Sequence, residues 1–265
     1  MKLVTPSVFI IGETKVDQDG LEAMLAEIGV PEWTSDGESS AEVLVETAGK
    51  LCYMSFDTKL NTNLTKTGGR SNFEYIQEGI IATKHGSVLE HVAVNIAFIN
   101  VSRVFTHELV RHRAGASYSQ TSGRYVRTDE LSFWMPQVIR ENIELAGLFE
   151  SAIIHQEETI RKMEEVSGIN RMKSKEDFEK KKQLTSAFRR IIGNGVANNI
   201  MATYNHRAMR HLCAIRTSRH AEEEIRIGFN LLFDQLADRY PAIYADATRE
   251  MVGGHFEINF ANEKV

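Results

Sequence analysis

Cysteine is scarce in this sequence, because its 265 residues include only Cys52 and Cys213. Their spacing suggests neither a metal site nor a disulfide framework, so we expect a metal-free protein in a reducing cytoplasm. Long apolar runs are missing as well, since no stretch approaches the roughly 18 apolar residues that a membrane-spanning helix needs. The segment at residues 1–15 lacks the small-residue cleavage pattern of a secretory signal. These absences predict a cytoplasmic location and no membrane partner.

An excess of positive charge is also absent. The chain has 31 Lys and Arg against 36 Asp and Glu, which gives a net charge of -5 and a pI near 6.0. This balance gives no general attraction to nucleic acid or to an anionic membrane, so local Arg clusters must hold any anionic ligand. With 42% hydrophobic and 25% charged residues, the composition is typical of a globular protein with a full core.

Repeats, low-complexity tracts and Pro-rich linkers are not found, which predicts a single domain over residues 1–265. One charged helical excursion is expected around residues 161–182, and we interpret it as a solvated helical hairpin rather than a partner-binding segment. Ser174 and Asp177 have the spacing of a capping box for the second helix of that excursion.

Hydrophobic periodicity predicts alternating strands and helices in the first half of the chain, followed by mainly helical structure from residue 141 to the end. Ser40 is expected to cap the second helix. The predicted strands cover residues 2–13 and 92–98, with another beginning at residue 126. The predicted helices cover residues 21–28, 40–51, 72–84 and 101–113.

The densest polar chemistry lies in Arg111-His112-Arg113 and in the hydroxyl-rich segment that follows it, from Ser117 to Tyr125. We interpret that segment as a loop that wraps a phosphate with backbone N–H, hydroxyl and guanidinium donors. The alternative is an Arg-rich helix end whose cations pair with carboxylates of other helices. The additional Arg124-Tyr125 pair favours the phosphate loop.

A second polar group runs from Tyr204 to His220. In one helix, Arg207 and His211 would point nearly opposite to Asn205 and Arg216, so the helix could serve two ligand sites. Ser218 is expected to begin a new helix and to leave Arg216 near a break. The alternative is a surface helix whose Arg residues pair with the Glu residues that follow.

The two cysteines are interpreted as core residues, so no nucleophilic cysteine is expected. The sequence also lacks the glycine fingerprint of a Rossmann dinucleotide site. Neither a cysteine nucleophile nor a dinucleotide fingerprint is therefore available to identify the ligand.

Taken together, these segments resemble the flavin-dependent thymidylate synthase family. The family signature is Arg-His-Arg, seven further residues and Ser, usually followed by Arg-Tyr, and residues 111–125 are similar to it. Residues 85–91 and 205–220 extend the resemblance in the same order along the chain. Here Thr121 stands where the signature has Ser, and Ser122 follows it. Either Thr121 supplies the hydroxyl, or the loop carries one extra residue near Gly115, and we favour the extra residue.

The resemblance implies two sets of ligand-binding residues. The FAD set is Ser87, Arg111, His112, Arg113, Gln120, Asn205, Arg207 and His211. The dUMP set is Glu108, Arg111, Gln120, Ser122, Gly123, Arg124, Arg189 and Arg216. The implied catalytic residues are Arg216, Ser122 and His85. Arg216 would stabilise negative charge on the uracil ring, because a guanidinium cannot act as a base at neutral pH.

The implied reaction is the reductive methylation of dUMP to dTMP, with methylenetetrahydrofolate as one-carbon donor and NADPH-reduced FAD as hydride source. The implied fold is α+β, with a central, mainly antiparallel sheet flanked by helices, a helical C-terminal half and a homotetramer with shared sites. Two alternatives stay open: a relative on the same scaffold with an altered pyrimidine nucleotide product, and a non-catalytic nucleotide- or RNA-binding module. The acidic net charge disfavours the second alternative.

Overall fold

The computed structural model describes residues 1–62, 64, 69–125, 130–262 and 265. The strands in this part of the chain are β1 (Lys2–Leu3), β2 (Ser7–Glu13), β3 (Ala93–Ser102), β4 (Ala116–Gln120), β5 (Ser132–Phe133), β6 (Ala197–Asn205), β7 (Ala247–Val252) and β8 (His255–Phe260). The α-helices are α1 (Gln18–Glu27), α2 (Ser40–Tyr53), α3 (Asn72–Glu74), α4 (Arg103–Leu109), α5 (Gln137–Arg140), α6 (Ile143–Ser167), α7 (Asp177–Phe188), α8 (His206–Thr217), α9 (Glu223–Arg239) and α10 (Pro241–Tyr244). A π-helix (Tyr75–Ile81) continues α3, and the 3-10 helices are Gly86–His91, Ile169–Arg171 and Arg189–Ile191.

The main sheet in the described residues has the strand order β2-β3-β6-β4. Its neighbouring strands run antiparallel: the Thr121 N–H donates to the Asn199 carbonyl near one end of the β4–β6 pair, and the Asn205 N–H donates to the Gly115 carbonyl at the other. β1 and β5 form a short parallel pair, while β7 and β8 form an antiparallel hairpin. The expected combination of helices with an antiparallel sheet is confirmed.

The prediction of a helical C-terminal half is not confirmed, because β6, β7 and β8 lie there beside the helices. β6 buries every second residue, Ile200, Ala202 and Tyr204, which is the period of a strand rather than of a helix. The β7–β8 turn uses Gly253 and Gly254, both with positive φ, a conformation that suits a tight hairpin.

Several predicted elements are correct in type and differ in their ends. The predicted opening strand is divided between β1 and β2 around Pro6, which has no N–H to donate to a strand neighbour. Ser39, not Ser40, caps α2 by accepting the Glu42 N–H. The reciprocal bonds between Ser174 and Asp177 at the start of α7 are present, as predicted. Of the strand predicted from residue 126, residues 126–129 lie outside the described part.

Two predictions around the signature segment are wrong. The predicted helix over residues 101–113 is confined to α4, because β3 continues to Ser102, whose hydroxyl caps the helix, and the helix ends at Leu109. The predicted phosphate loop begins as strand β4, paired with β6. Alternating half-buried and exposed residues in β4 explain the strand, although Ser and Gly favour loops by composition.

The chain divides into two compact units. The first comprises Met1–Ser7, Ala97–His112 and Tyr118–Met201, and the second comprises Val8–Ile96, Arg113–Ser117 and Ala202–Val265. In the first unit, Leu131, Phe133 and Ile153 form a core cluster against α6. No helix in the described residues is long and apolar enough to cross a membrane.

The second unit contains a buried ion pair between α8 and the segment before β7. Arg210 donates two hydrogen bonds to the Asp246 carboxylate, at 2.6 and 2.8 Å, and one to the Ile243 carbonyl at 2.6 Å. Its guanidinium also lies 4.2 Å from the centre of the Phe260 ring. With both side chains buried, removal of one partner leaves an uncompensated charge.

We therefore expect Asp246→Ala to lower the free energy of unfolding by about 3–5 kcal/mol. Asp234→Ala is the matched control, because Asp234 pairs with Arg249 while 62% exposed, and we expect it to cost less than about 1 kcal/mol. Urea denaturation followed by circular dichroism measures both values. Equal losses for the two variants would contradict the buried-pair assignment.

Candidate functional site

Contacts between β4 and α4 hold the part of the signature segment that lies in the first unit from Tyr118 onward. The Tyr118 hydroxyl donates toward the carbonyls of Leu109, at 2.9 Å, and His112, at the end of α4. The Gln120 side-chain nitrogen donates to the Thr106 hydroxyl at 2.9 Å. Tyr118 and Gln120 lie on the same, half-buried face of β4. Gln120 is a predicted ligand residue, and its side-chain nitrogen thus already makes a hydrogen bond within the fold.

A cavity of about 640 Å³ lies in the first unit, beside the end of β4. Of the predicted site residues, Gly123 and Arg189 line it, and Thr121 lines it as well. Gly123 is close to Arg189, since a Cβ on Gly123 would lie 3.5 Å from the Arg189 Cδ. The Ser122 hydroxyl accepts the Arg124 N–H at 3.3 Å. The structure therefore brings Gly123 and Arg189 together around a volume typical of ligand pockets.

The cavity wall is cationic and apolar. Four arginines contribute to it, together with two glutamates, three asparagines and several apolar residues. The cations are Arg103, Arg161, Arg189 and Arg190; the carboxylates are Glu157 and Glu164; the amides are Asn170, Asn194 and Asn198; and the apolar residues include Leu131, Ile160, Phe188, Ile192 and Val196. Such a wall suits an anion that carries an apolar or planar body.

Glu157 is the buried carboxylate of this wall. Burial acts to raise its pKa, but hydrogen bonds from the Leu131 N–H and the Met1 ammonium group outweigh it, so the pKa is lowered. Arg161 lies 3.7 Å from the same carboxylate. Glu157 is therefore ionised at neutral pH, and its charge is already balanced by neighbours.

The charged stretch at residues 161–182 contributes to this cavity. Arg161, Glu164 and Asn170 line it, and the Lys182 ammonium lies 5.7 Å from the centre of the Tyr125 ring. These contacts join the stretch to the signature segment. It is therefore more than the solvated hairpin that its composition suggests.

A second group of predicted residues lies in the second unit, at the start of α8. Asn205 caps the helix by accepting the Ala208 N–H at 2.8 Å, and its own N–H donates to the Gly115 carbonyl at 3.2 Å. Gly115 has φ +63°, and a Cβ built on it would lie 2.4 Å from the Asn205 side-chain nitrogen. The loop that follows Arg113 therefore lies directly against Asn205, with no space for a side chain at Gly115.

The 3-10 helix Gly86–His91 completes this group, because α8 packs against it. Arg207 donates to the Glu90 carboxylate at 2.5 Å, and Ser87 lies exposed on the same 3-10 helix. His211 follows Arg207 by one helical turn. His85 directly precedes the 3-10 helix, and its ring is stacked on that of Tyr53, with centroids 5.9 Å apart.

Arg216 is separate from these residues along α8. It lies in the last turn, half-buried, on the face opposite to Arg207. The predicted break follows it, since α8 ends at Thr217 and α9 begins at Glu223. The cap of α9 is Glu222 rather than the predicted Ser218.

The remaining predicted residues lie around the end of α4. Glu108 is half-buried in the helix, Arg111 and His112 lie in the turn after it, and Arg124 is exposed. Sequence reasoning missed Arg103, Arg190 and the three amides of the cavity. Only the adjacency of Arg190 to the predicted Arg189 gave a signal for any of them.

The two cysteines occupy different environments. Cys213 is buried as predicted, and burial raises the pKa of its thiol. The prediction is wrong for Cys52, which lies exposed near the end of α2 because that last turn faces outward. No cluster of His, Cys, Asp and Glu that could hold a metal ion occurs among the described residues.

The described residues thus form an α+β fold with a cavity whose wall includes four arginines. The model of the family described as thymidylate synthase complementing protein matches residues 36–242. The chain therefore belongs to that family, and the resemblance inferred from the signature segments is confirmed.

Similar proteins agree with this assignment. A flavin-dependent thymidylate synthase of Mycobacterium sp. (strain JLS) is 36% identical over 218 residues, covering 81% of this chain and 82% of the relative. The enzyme of the same name from Corynebacterium efficiens is 32% identical over 219 residues, again covering 81% and 82%.

Two solved structures share the fold. One is the UMP/dUMP methylase PolB of Streptomyces cacaoi with 5-Br dUMP, with a TM-score of 0.65, 15% identity and coverage of 92% of this chain and 96% of that one. The other is thymidylate synthase X of Helicobacter pylori with FAD and dUMP, with a TM-score of 0.54, 17% identity and coverage of 91% and 98%.

The contact between Gly115 and Asn205 can be tested by substitution. We expect Gly115→Ala to lower the free energy of unfolding by about 1–3 kcal/mol, because a side chain at this positive φ is strained and collides with Asn205. Gly147→Ala in α6 is the control, since its Cβ meets nothing within 4 Å and alanine favours a helix. Chemical denaturation measures both variants. A Gly115→Ala protein as stable as the parent would contradict the close approach.

Proposed function

We propose that this protein is a flavin-dependent thymidylate synthase, which reductively methylates dUMP to dTMP with methylenetetrahydrofolate as one-carbon donor and NADPH as reductant of FAD. The observation that carries the proposal is the family match over residues 36–242, which contains every predicted site residue from His85 to Arg216. The names of the bacterial relatives support the same activity. A cytoplasmic location and a homotetramer with shared sites are part of the proposal.

The residues at the start of α8 fit FAD by their chemistry. Ser87, Arg113, Asn205, Arg207 and His211 offer a hydroxyl, two guanidinium groups, an amide and an imidazole, which suit a pyrophosphate and a heterocycle. Support comes from the Gly115–Asn205 approach, which keeps the loop after Arg113 near these donors. The further FAD residues proposed are Arg111, His112 and Gln120. When bound, FAD supplies the redox chemistry of the methylation.

The proposed dUMP residues are Glu108, Arg111, Gln120, Ser122, Gly123, Arg124, Arg189 and Arg216. Gly123 and Arg189 line the cationic cavity, which supports an anionic substrate there. Thr121 also lines the cavity, whereas Ser122 is not among its lining residues.

Arg216 is the proposed electrostatic catalyst. Carbon 5 of uracil becomes nucleophilic only when negative charge accumulates on the ring, and a guanidinium at the carbonyl edge stabilises that charge and the ionised N3. Ser122 would hold the substrate by its hydroxyl. His85, whose ring is stacked on Tyr53, would lie beside the flavin ring and the folate.

The activity itself can be tested on the purified protein. We expect a yellow preparation that releases FAD on denaturation and oxidises NADPH faster when dUMP is added. Mass spectrometry of labelled substrate should show dTMP when methylenetetrahydrofolate is present, and parallel reactions with UMP identify any altered nucleotide preference. A colourless protein that cannot be reconstituted with FAD would contradict the proposal and favour a non-catalytic binding module.

The role of Arg216 predicts a loss of turnover without a loss of flavin. Arg216→Ala should retain the parent flavin spectrum and lose about 10²–10³-fold in kcat, the usual effect of removing one group that stabilises developing charge. Arg219→Ala is the control, because Arg219 is half-exposed and pairs with Glu257. Near-normal kcat in the Arg216 variant would exclude the electrostatic role.

A further inference from the structure

Thr106 is a buried polar residue of α4, only 2% exposed, and its hydroxyl makes two hydrogen bonds. The hydroxyl donates to the Arg103 carbonyl at 3.2 Å, in the same helix. It also accepts a hydrogen bond from the Gln120 side-chain nitrogen at 2.9 Å. A hydroxyl has a single proton to donate. Because the Arg103 carbonyl takes that proton, the amide of Gln120 must turn its nitrogen, and not its oxygen, toward Thr106.

The side chain of Gln120 is therefore fixed at both ends. Its backbone lies in β4, and the N–H of the next residue, Thr121, donates to the Asn199 carbonyl of β6 at 2.9 Å. At the other end, the bond to Thr106 sets the rotation of the amide group. The oxygen and nitrogen of an amide share one carbon, so fixing the nitrogen also fixes the direction of the oxygen.

The orientation of this amide limits what Gln120 can recognise. An amide oxygen only accepts hydrogen bonds, so the ligand group that meets it must carry an N–H or O–H. A phosphate oxygen that bears no proton cannot serve as that group. FAD and dUMP both have N–H groups on their rings and hydroxyls on their sugar portions.

We propose that Thr106 is a positioning residue, which holds the Gln120 amide so that its carbonyl oxygen accepts a hydrogen bond from an N–H or hydroxyl of the bound ligand. The inference rests on the proposed function, in which Gln120 is a ligand residue for FAD and dUMP. Thr106 lies outside the signature segments and acts only through Gln120.

A double-mutant cycle tests this role on the full-length protein. Reconstitution of the flavin-free chain measures FAD affinity, and calorimetry on the FAD-loaded chain measures dUMP affinity. Thr106→Val, which removes the hydroxyl, should weaken about three- to tenfold the same ligand that Gln120→Ala weakens, as expected for one neutral hydrogen bond. In the Gln120→Ala background, Thr106→Val should cause no further loss.

Thr106→Ser keeps the hydroxyl, so its affinities should stay within about twofold of the parent. Thr47→Val is the matched control, because Thr47 is also a buried helical threonine and its hydroxyl donates to the Val43 carbonyl of its own helix. We expect parent-like affinities for both ligands in that variant.

Three results would overturn the inference while leaving the proposed function intact. They are parent-like affinities in Thr106→Val, an equal loss from Thr106→Val with and without Gln120, and parent-like affinities in Gln120→Ala. An equal loss in both backgrounds would mean that Thr106 acts on the fold and not through Gln120. A parent protein that binds neither FAD nor dUMP would instead remove the proposed function and this inference together.

Discussion

The junction between β6 and α8 is the constraint on which the second unit depends. At Asn205 the chain changes from strand to helix, and this residue uses its backbone to hold Gly115 and its side chain to cap α8. The next residue, His206, donates its N–H to the Val92 carbonyl and is buried against Tyr244. One short stretch therefore fixes the start of α8, the loop after Arg113 and the end of the segment that precedes β3. Burial lowers the pKa of His206 to about 3, so the imidazole of His206 is uncharged at neutral pH.

Sequence periodicity predicted α1 and α2 well, because their apolar residues recur at helical spacing and their ends carry Ser, Gly or Pro. Prediction failed where the local composition favours a loop but pairing with another strand forms a sheet. β4 is rich in serine and reads as a loop, and only its partner β6 makes it a strand. The β7–β8 hairpin has few buried residues, so alternation is weak there and register comes from the pairing itself. Contacts between segments that are distant in sequence cannot be predicted from a local residue pattern.

The candidate site was likewise predicted only in part. Residues of the signature were found because their types and spacing carry chemistry, and the structure places Gly123 and Arg189 side by side. The cavity was not predicted, since its wall combines the start of α4 with α6 and α7, and no spacing rule links those positions. Arg103 has an ordinary sequence context, and its place on the cavity wall follows only from the fold. A charged stretch such as residues 161–182 reads as solvent-facing by composition, although part of it faces the cavity.

The alternation of the two units along the chain has a consequence for biosynthesis. The second unit needs Ala202–Val265 as well as Val8–Ile96, so its inner packing joins segments separated by more than a hundred residues. During synthesis, Val8–Ile96 leaves the ribosome long before Ala202–Val265. Until then, the apolar residues of the early segment cannot pack into the complete core of this unit. Folding of that unit therefore requires its last segment, Ala202–Val265, to have been synthesised. A chain truncated before α9 would leave the buried residues Ile76, Ile80 and Ile81 without the packing that α10 supplies.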